Sequence, residues 1–191
     1  TGEVKTRQLP ALDMLEQGKI SLEAAKRLQS VHREEHRLAS TKTQPLSESL
    51  KIMMKVSNNL YAEMMLRNLG ARTTGLGSLD TGVAALERFL EKTGTPRNGV
   101  SLNDGSGLSR KNLITPESMV RVLQYMDQHP HREVFLDMLP VAGRDGTLKN
   151  RMKKGPAFEH IFAKTGSIEF VNTLSGYALA RNGERLAFSI M

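Results

Sequence analysis

An α+β fold is predicted, a helical cluster packed on an antiparallel sheet, and three observations predict it. Amphipathic stripes with helical spacing fill the N-terminal and central parts of the chain. Strand-like runs gather at the C-terminal end. The last two of those runs are joined by Asn182-Gly183, a strong hairpin signal. Helices first and a meander afterwards is not a βαβ alternation.

The chain has 191 residues, enough for one domain or one domain with an appendage. Charged residues make up 25% and apolar residues 39%, a globular balance. The net charge of +7 suits an anionic partner, nucleic acid or an acidic cell-surface polymer. The basic residues are scattered, however, and Arg151, Lys153 and Lys154 are the densest group. Aromatics are only 5% and Trp is absent, so a stacking platform is poorly supplied and nucleic acid is not the expected partner. With no cysteine, disulfides, thiolate metal sites and a cysteine nucleophile are excluded. No apolar run approaches the roughly 18 residues of a spanning helix, and no signal peptide is recognisable. The chain starts at Thr1 and stops inside the strand-like run Ser189-Ile190-Met191. Both ends read as cut, so missing targeting segments carry little information.

Taken in order, the first forty residues read as helical and mostly polar, plainly a helical hairpin. Leu12, Leu15, Ile20, Leu22, Ala25, Leu28 and Val31 form its interrupted stripe. Gly18 breaks it and Ser21 can cap its second helix. His32 and His36 stand at i and i+4. Without the Glu of H-E-x-x-H they read as an exposed charged face rather than a metal site. Pro45 can open a helix, with Leu46, Leu50, Met53, Met54 and Val56 as its buried face. Ser57-Asn58-Asn59 interrupts the pattern, and alone it reads as an N-cap. Leu60, Met64, Leu66 and Leu69 then form a second helix that Gly70 closes. Residues 72–77 are a Gly/Thr loop without a dinucleotide fingerprint. Ser78 caps a helix over Leu79–Lys92, with Val83, Leu86, Phe89 and Leu90 inward and Gly94 at its end.

A short strand at residues 100–102 meets the turn at residues 103–110. That turn is neither a nucleophile elbow nor a Walker cradle, and a structural turn is its default. Thr115-Pro116-Glu117 opens the next helix, with Met119, Val122, Leu123 and Met126 inward and Pro130 stopping it. A short helix at residues 131–138 and a glycine-bearing basic loop at residues 141–155 follow. Strands are expected at residues 159–163, 173–181 and 185–190, with a type I′ turn at Asn182-Gly183. Lys164-Thr165-Gly166 then sits at the edge of the first of these strands. A cation, a hydroxyl and a residue without Cβ there can hold an anionic substrate against a backbone.

Five segments occur in one order: residues 45–50 (PLSESL), 55–63 (KVSNNLYAE), 104–110 (DGSGLSR), 142–148 (AGRDGTL) and 163–167 (AKTGS). Ser-x-Asn between helices and Lys-Thr-Gly on a strand belong to the motif set of penicillin-binding proteins and serine β-lactamases. On these residues the chain resembles the class C low-molecular-weight penicillin-binding proteins, the serine D-Ala-D-Ala carboxypeptidase/endopeptidase family. The resemblance covers about residues 37–191, the C-terminal part of a β-lactamase/transpeptidase-like domain. Residues 1–36 fit it less well and read as an inserted-domain remnant or an appendage.

The resemblance implies roles position by position. Ser57 would relay protons near the nucleophile. Asn59 would hydrogen-bond the substrate and help hold the general-base lysine. Lys164 would face the substrate carboxylate, and Thr165 would donate to it. Gly166 would let the substrate lie flat, and the Ser167 N–H would supply half an oxyanion hole. It also implies no cofactor and no metal, peptidoglycan stem peptides and β-lactams as partners, and an extracytoplasmic location. The departure is large. No serine is followed by lysine at the third place, so the Ser-x-x-Lys nucleophile is absent from this chain. The expectation is therefore a serine-type D-Ala-D-Ala carboxypeptidase/endopeptidase in part, inactive alone, whose missing N-terminal part would be its partner. The alternative is a non-catalytic module that binds peptidoglycan or a partner.

Overall fold

The computed structural model of the chain describes residues 21–24 and 44–191. The expected hairpin of the first forty residues, its His32/His36 pair and the boundary at residue 36 lie outside them. The exception is Ser21, whose Oγ accepts the Ala24 amide at 3.2 Å, as a cap does.

Among the described residues from 44 on there are five α-helices and five strands: α1 (Leu46–Val56), α2 (Asn59–Thr74), α3 (Leu79–Lys92), β1 (Val100–Ser101), β2 (Leu113–Ile114), α4 (Pro116–Asp127), α5 (Arg132–Met138), β3 (Ile161–Ile168), β4 (Val171–Leu179) and β5 (Arg185–Ile190). β1 and β2 form a small antiparallel ladder, and β3-β4-β5 form an antiparallel meander. The α+β arrangement is as the sequence predicts.

Helix starts follow local chemistry. Asn58, Ser78 and Thr115 each accept an amide of the first turn, from Tyr61, Thr81 and Ser118. The core joins α4, α5 and the sheet through Leu123, Leu139 and Tyr177, with Met54, Phe135, Phe162 and Ala187 packed around them. Tyr177 is buried, and its hydroxyl donates to the Leu123 carbonyl at 2.6 Å. Burial first, then the nearby Asp127 charge, pushes its pKa up to about 12 against a smaller opposing effect of Arg185.

Several expectations are corrected. Gly70 does not close α2, which runs on to Thr74 and ends at Gly75 in the left-handed region. Gly70 is there because α3 crosses it. A Cβ would lie 2.4 Å from Thr81 Oγ1 and 2.7 Å from the Gly82 amide. The apolar faces are less buried than their periodicity implies. Leu46 and Val56 on α1, and Leu60, Met64 and Leu69 on α2, are exposed, while Leu66 is buried.

The first long strand is shifted. It spans Ile161–Ile168, so Lys164-Thr165-Gly166 lies within it rather than at its end. Its partner is Val171–Leu179, two residues earlier than expected. The Asn182-Gly183 turn is not type I′, because Asn182 keeps a negative φ and only Gly183 is left-handed (φ +84°). The Gly183 amide closes on the Ala180 carbonyl (3.0 Å) and Ala180 bonds Glu184 (2.8 Å). This is a type I turn followed by a left-handed glycine, the usual solution for a longer hairpin loop. The β3–β4 turn carries Phe170 at φ +66° and 93% exposed.

Candidate active site

Two loci distant in sequence meet where the end of α1 faces the outer edge of β3, a junction we call the groove. α1 ends at Ser57, which is left-handed (φ +58°, ψ +52°) while its amide bonds the Met53 carbonyl. A left-handed serine is uncommon. Here it reverses the chain so that Asn58 can cap α2 and leaves the Ser57 hydroxyl outside both helices. The cap reading of Ser57-Asn58-Asn59 therefore holds for Asn58, and Ser57 does something else. Its Oγ accepts from Lys164 Nζ at 2.7 Å.

β3 supplies the other wall. Its first half is covered on the outer side by residues 140–142. Ala142 N–H bonds the Ile161 carbonyl and Ala163 N–H bonds the Pro140 carbonyl, both at 2.9 Å. Strand alternation then turns the main-chain groups of Thr165 and Ser167 the same way, toward the edge beyond that cover. The Thr165 carbonyl indeed lies there, taking Lys164 Nζ at 2.6 Å. Burial holds the Lys164 amine below the ordinary lysine range.

The remaining expected residues are placed as follows. Thr165 Oγ1 donates to Thr147 Oγ1 at 2.8 Å. Gly166 pairs with Thr173, and a Cβ on it would lie 2.4 Å from Thr173 Oγ1. Ser167 Oγ donates to Asn172 Oδ1 at 2.8 Å. Asn59 opens α2, and its exposed side chain makes no hydrogen bond among the described residues. The structure thus brings Ser57, Lys164 and Thr165 together and leaves Asn59 unattached. A concavity of about 470 Å³ lined by Glu87, Arg88 and Leu90 lies elsewhere, and neither Ser57 nor Lys164 lines it.

Four supporting residues, Glu63, Lys55, Asp145 and Asp104, escaped the sequence reading. Glu63 Oε1 accepts the amides of Gly105 and Ser106, both at 3.0 Å, and so fastens the 103–110 turn to α2. Lys55 and Asp145 join at 2.7 and 2.8 Å, two residues before Ser57 and Thr147. Both pairs lie inside the ordered segments, but nothing in a single sequence marks them as partners. Within the turn, Asp104 accepts from Gly107 N, Ser109 N and Asn112 Nδ2, each at 2.7 Å. Burial alone would raise the Asp104 carboxyl, but these bonds outweigh it and hold it below the usual carboxylate range.

The D-Ala-D-Ala carboxypeptidase 3 (S13) family matches residues 7–191. The chain belongs to that family. The match takes in residues 7–36, ahead of the first ordered motif. The D-alanyl-D-alanine carboxypeptidase of Actinomadura sp. (strain R39) is 42% identical over 159 residues, 81% of this chain and 29% of the relative. The Haemophilus influenzae carboxypeptidase DacB is 35% identical over 79% of this chain and 32% of its own length. The solved structure of penicillin binding protein 4 from H. influenzae with a β-lactam superposes with a TM-score of 0.71 at 33% identity, over 80% of this chain and 38% of that one. This S13 chain therefore spans about a third of the curated relatives it matches, and its α+β fold is that of part of a peptidase domain.

Proposed function

We propose that this chain forms two walls of a serine-type D-Ala-D-Ala carboxypeptidase/endopeptidase site, which cleaves peptidoglycan stem peptides through an acyl-serine. The observation that carries the reading is the 2.7 Å contact between Lys164 and Ser57, two motif residues far apart in sequence that meet beside the β3 edge. A fixed cation and aligned amides stabilise the charge that develops in acyl transfer. Lys164 and Thr165 would receive the substrate carboxylate or that of a β-lactam. The Ser167 N–H would supply one oxyanion donor, and strand alternation supports this by directing it to the edge. Ser57 would relay protons, and Asn59, exposed at the rim, would bond the substrate amide. No residue of this chain supplies the Ser-x-x-Lys nucleophile, which a further N-terminal part of the same protein would bring. The reaction would take place outside the cytoplasm, where stem peptides are.

The test is a chimera. Residues 44–191 replace the corresponding part of the H. influenzae penicillin binding protein 4, and the rest of that protein is kept. The folded chimera is expected to take a stoichiometric fluorescent penicillin label. Lys164→Ala is expected to slow labelling by about 10²–10³-fold, as removal of a principal electrostatic group does. The chain by itself is expected to take no label. A folded chimera that stays unlabelled, or labels equally well with Lys164→Ala, overturns the proposal. In that case the second reading, a peptide-binding module without turnover, would be tested by binding alone.

A further inference from the structure

We propose that Lys55 and Asp145 are positioning residues of this groove, setting the separation of its two walls without touching a ligand. The proposal rests on the groove being the ligand site, but its test uses no ligand.

Among the described ion pairs this one is the most sheltered, with Arg185–Asp127 next, and Arg144 also approaches Asp145 at 3.6 Å. The Lys55 side chain is only 13% exposed. Its Nζ donates to both Asp145 oxygens (2.8 and 2.7 Å) and to the Leu139 carbonyl (2.6 Å), which uses all three ammonium protons. Asp145 Oδ1 also accepts the Val141 amide at 2.9 Å. By contrast, the Arg110–Glu169 pair is more than two-thirds exposed on both sides, where such pairs contribute little. A sheltered pair gives weak net stability, and its better-attested use is to fix geometry.

The geometry it fixes is a closed ring. Lys55 stands two residues before Ser57, and Asp145 stands two residues before Thr147. Thr147 accepts from Thr165 at 2.8 Å. Lys164, next along β3, returns to Ser57 at 2.7 Å. The ring therefore runs Ser57, Lys55, Asp145, Thr147, Thr165, Lys164 and back to Ser57. It links the end of α1, the 142–148 turn and β3, adding side-chain bonds to the backbone bonds that tie residues 140–142 to β3. Gly146, between the two links, lies so close that a Cβ would approach the Lys55 carbonyl to 2.6 Å. If the Lys55–Asp145 link opens, α1 can draw away from β3 and water reaches Lys164.

Lys164 itself reports on the ring. Burial holds its amine below the ordinary lysine range. The experiment follows the side-chain amine of Lys164 by NMR titration in the whole chain. Two charge-neutral breaks are compared, the double variant Lys55→Met with Asp145→Asn, and Thr147→Val. Asp127→Asn, which breaks the remote Arg185 pair, is the control. Both breaks are expected to move the Lys164 titration upward toward that of an exposed lysine, and the control to leave it unchanged. Thr147 is exposed, so Thr147→Val decides the matter if the double variant does not fold. An unmoved titration in either folded break, or an equal movement in the control, overturns the proposal. A folded but unlabelled chimera would instead remove the ligand reading and leave the ring standing.

Discussion

At the scale of single residues, Gly166 shows how structural and functional demands share a position. In the proposed function its lack of Cβ would let a substrate lie along β3, and Thr173 across the ladder requires the same lack. Thr173 is β-branched and stiff at χ1, so its hydroxyl cannot swing aside freely. Gly166→Ala is therefore expected to cost about 1–3 kcal/mol, the usual range for overpacking. Adding Thr173→Ala should recover most of that loss. Urea denaturation of the two single variants and the double variant measures the coupling. Purely additive effects would show that the cross-strand contact is not the cause. Ser57 and Lys164 were legible as motif residues because their types and order are distinctive. Their 2.7 Å meeting was not, because it depends on the left-handed turn at Ser57 that no residue-level propensity announces.

Among elements, the 103–110 turn is held by acceptors rather than by apolar packing. Asp104 takes two backbone amides and the Asn112 side chain, and Glu63 takes two more amides. The folded Asp104 pKa lies below its unfolded value near 3.9. Its stabilisation is thus fully present above that value and is lost as pH falls through the folded pKa. Asp104→Ala should cost about 1.5–3 kcal/mol at neutral pH, the range for bonds to a charged group. It should also flatten the decline of stability in that acid window. Thermal unfolding between pH 2 and pH 7 checks both effects, and an unchanged acid slope would refute them. The same scale explains what the sequence showed and hid. Caps at Ser78 and Thr115 were readable because cap chemistry is local. The end of α2 was misjudged at Gly70 because that glycine answers to α3, a partner that periodicity does not name. The Asn182-Gly183 turn was placed correctly but given the wrong type, since loop length is set by the 179–185 pairing of the flanking strands.

For the whole molecule, exposed apolar surface is the main consequence of its architecture. Val56 is 60% exposed and Leu60 is 67% exposed, with Leu46, Met64 and Leu69 nearby in sequence. Helical spacing made these positions look like core, because a stripe records amphipathicity and not the presence of whatever covers it. Exposed apolar side chains favour association where they join into one patch. Val56→Lys with Leu60→Lys is expected to reduce concentration-dependent self-association while leaving stability within about 0.5 kcal/mol, as for ordinary surface changes. Sedimentation velocity over a concentration series reads the first effect and thermal melting the second. A wild-type chain that remains monomeric at its solubility limit would contradict the expectation.

The left-handed backbone of Ser57 sets stability against chemistry at one position. Glycine would adopt that conformation without strain, yet it would delete the hydroxyl that receives Lys164. A library selected only for resistance to unfolding should therefore drift toward glycine at position 57. One selected for the groove's activity should keep serine and bear the strain.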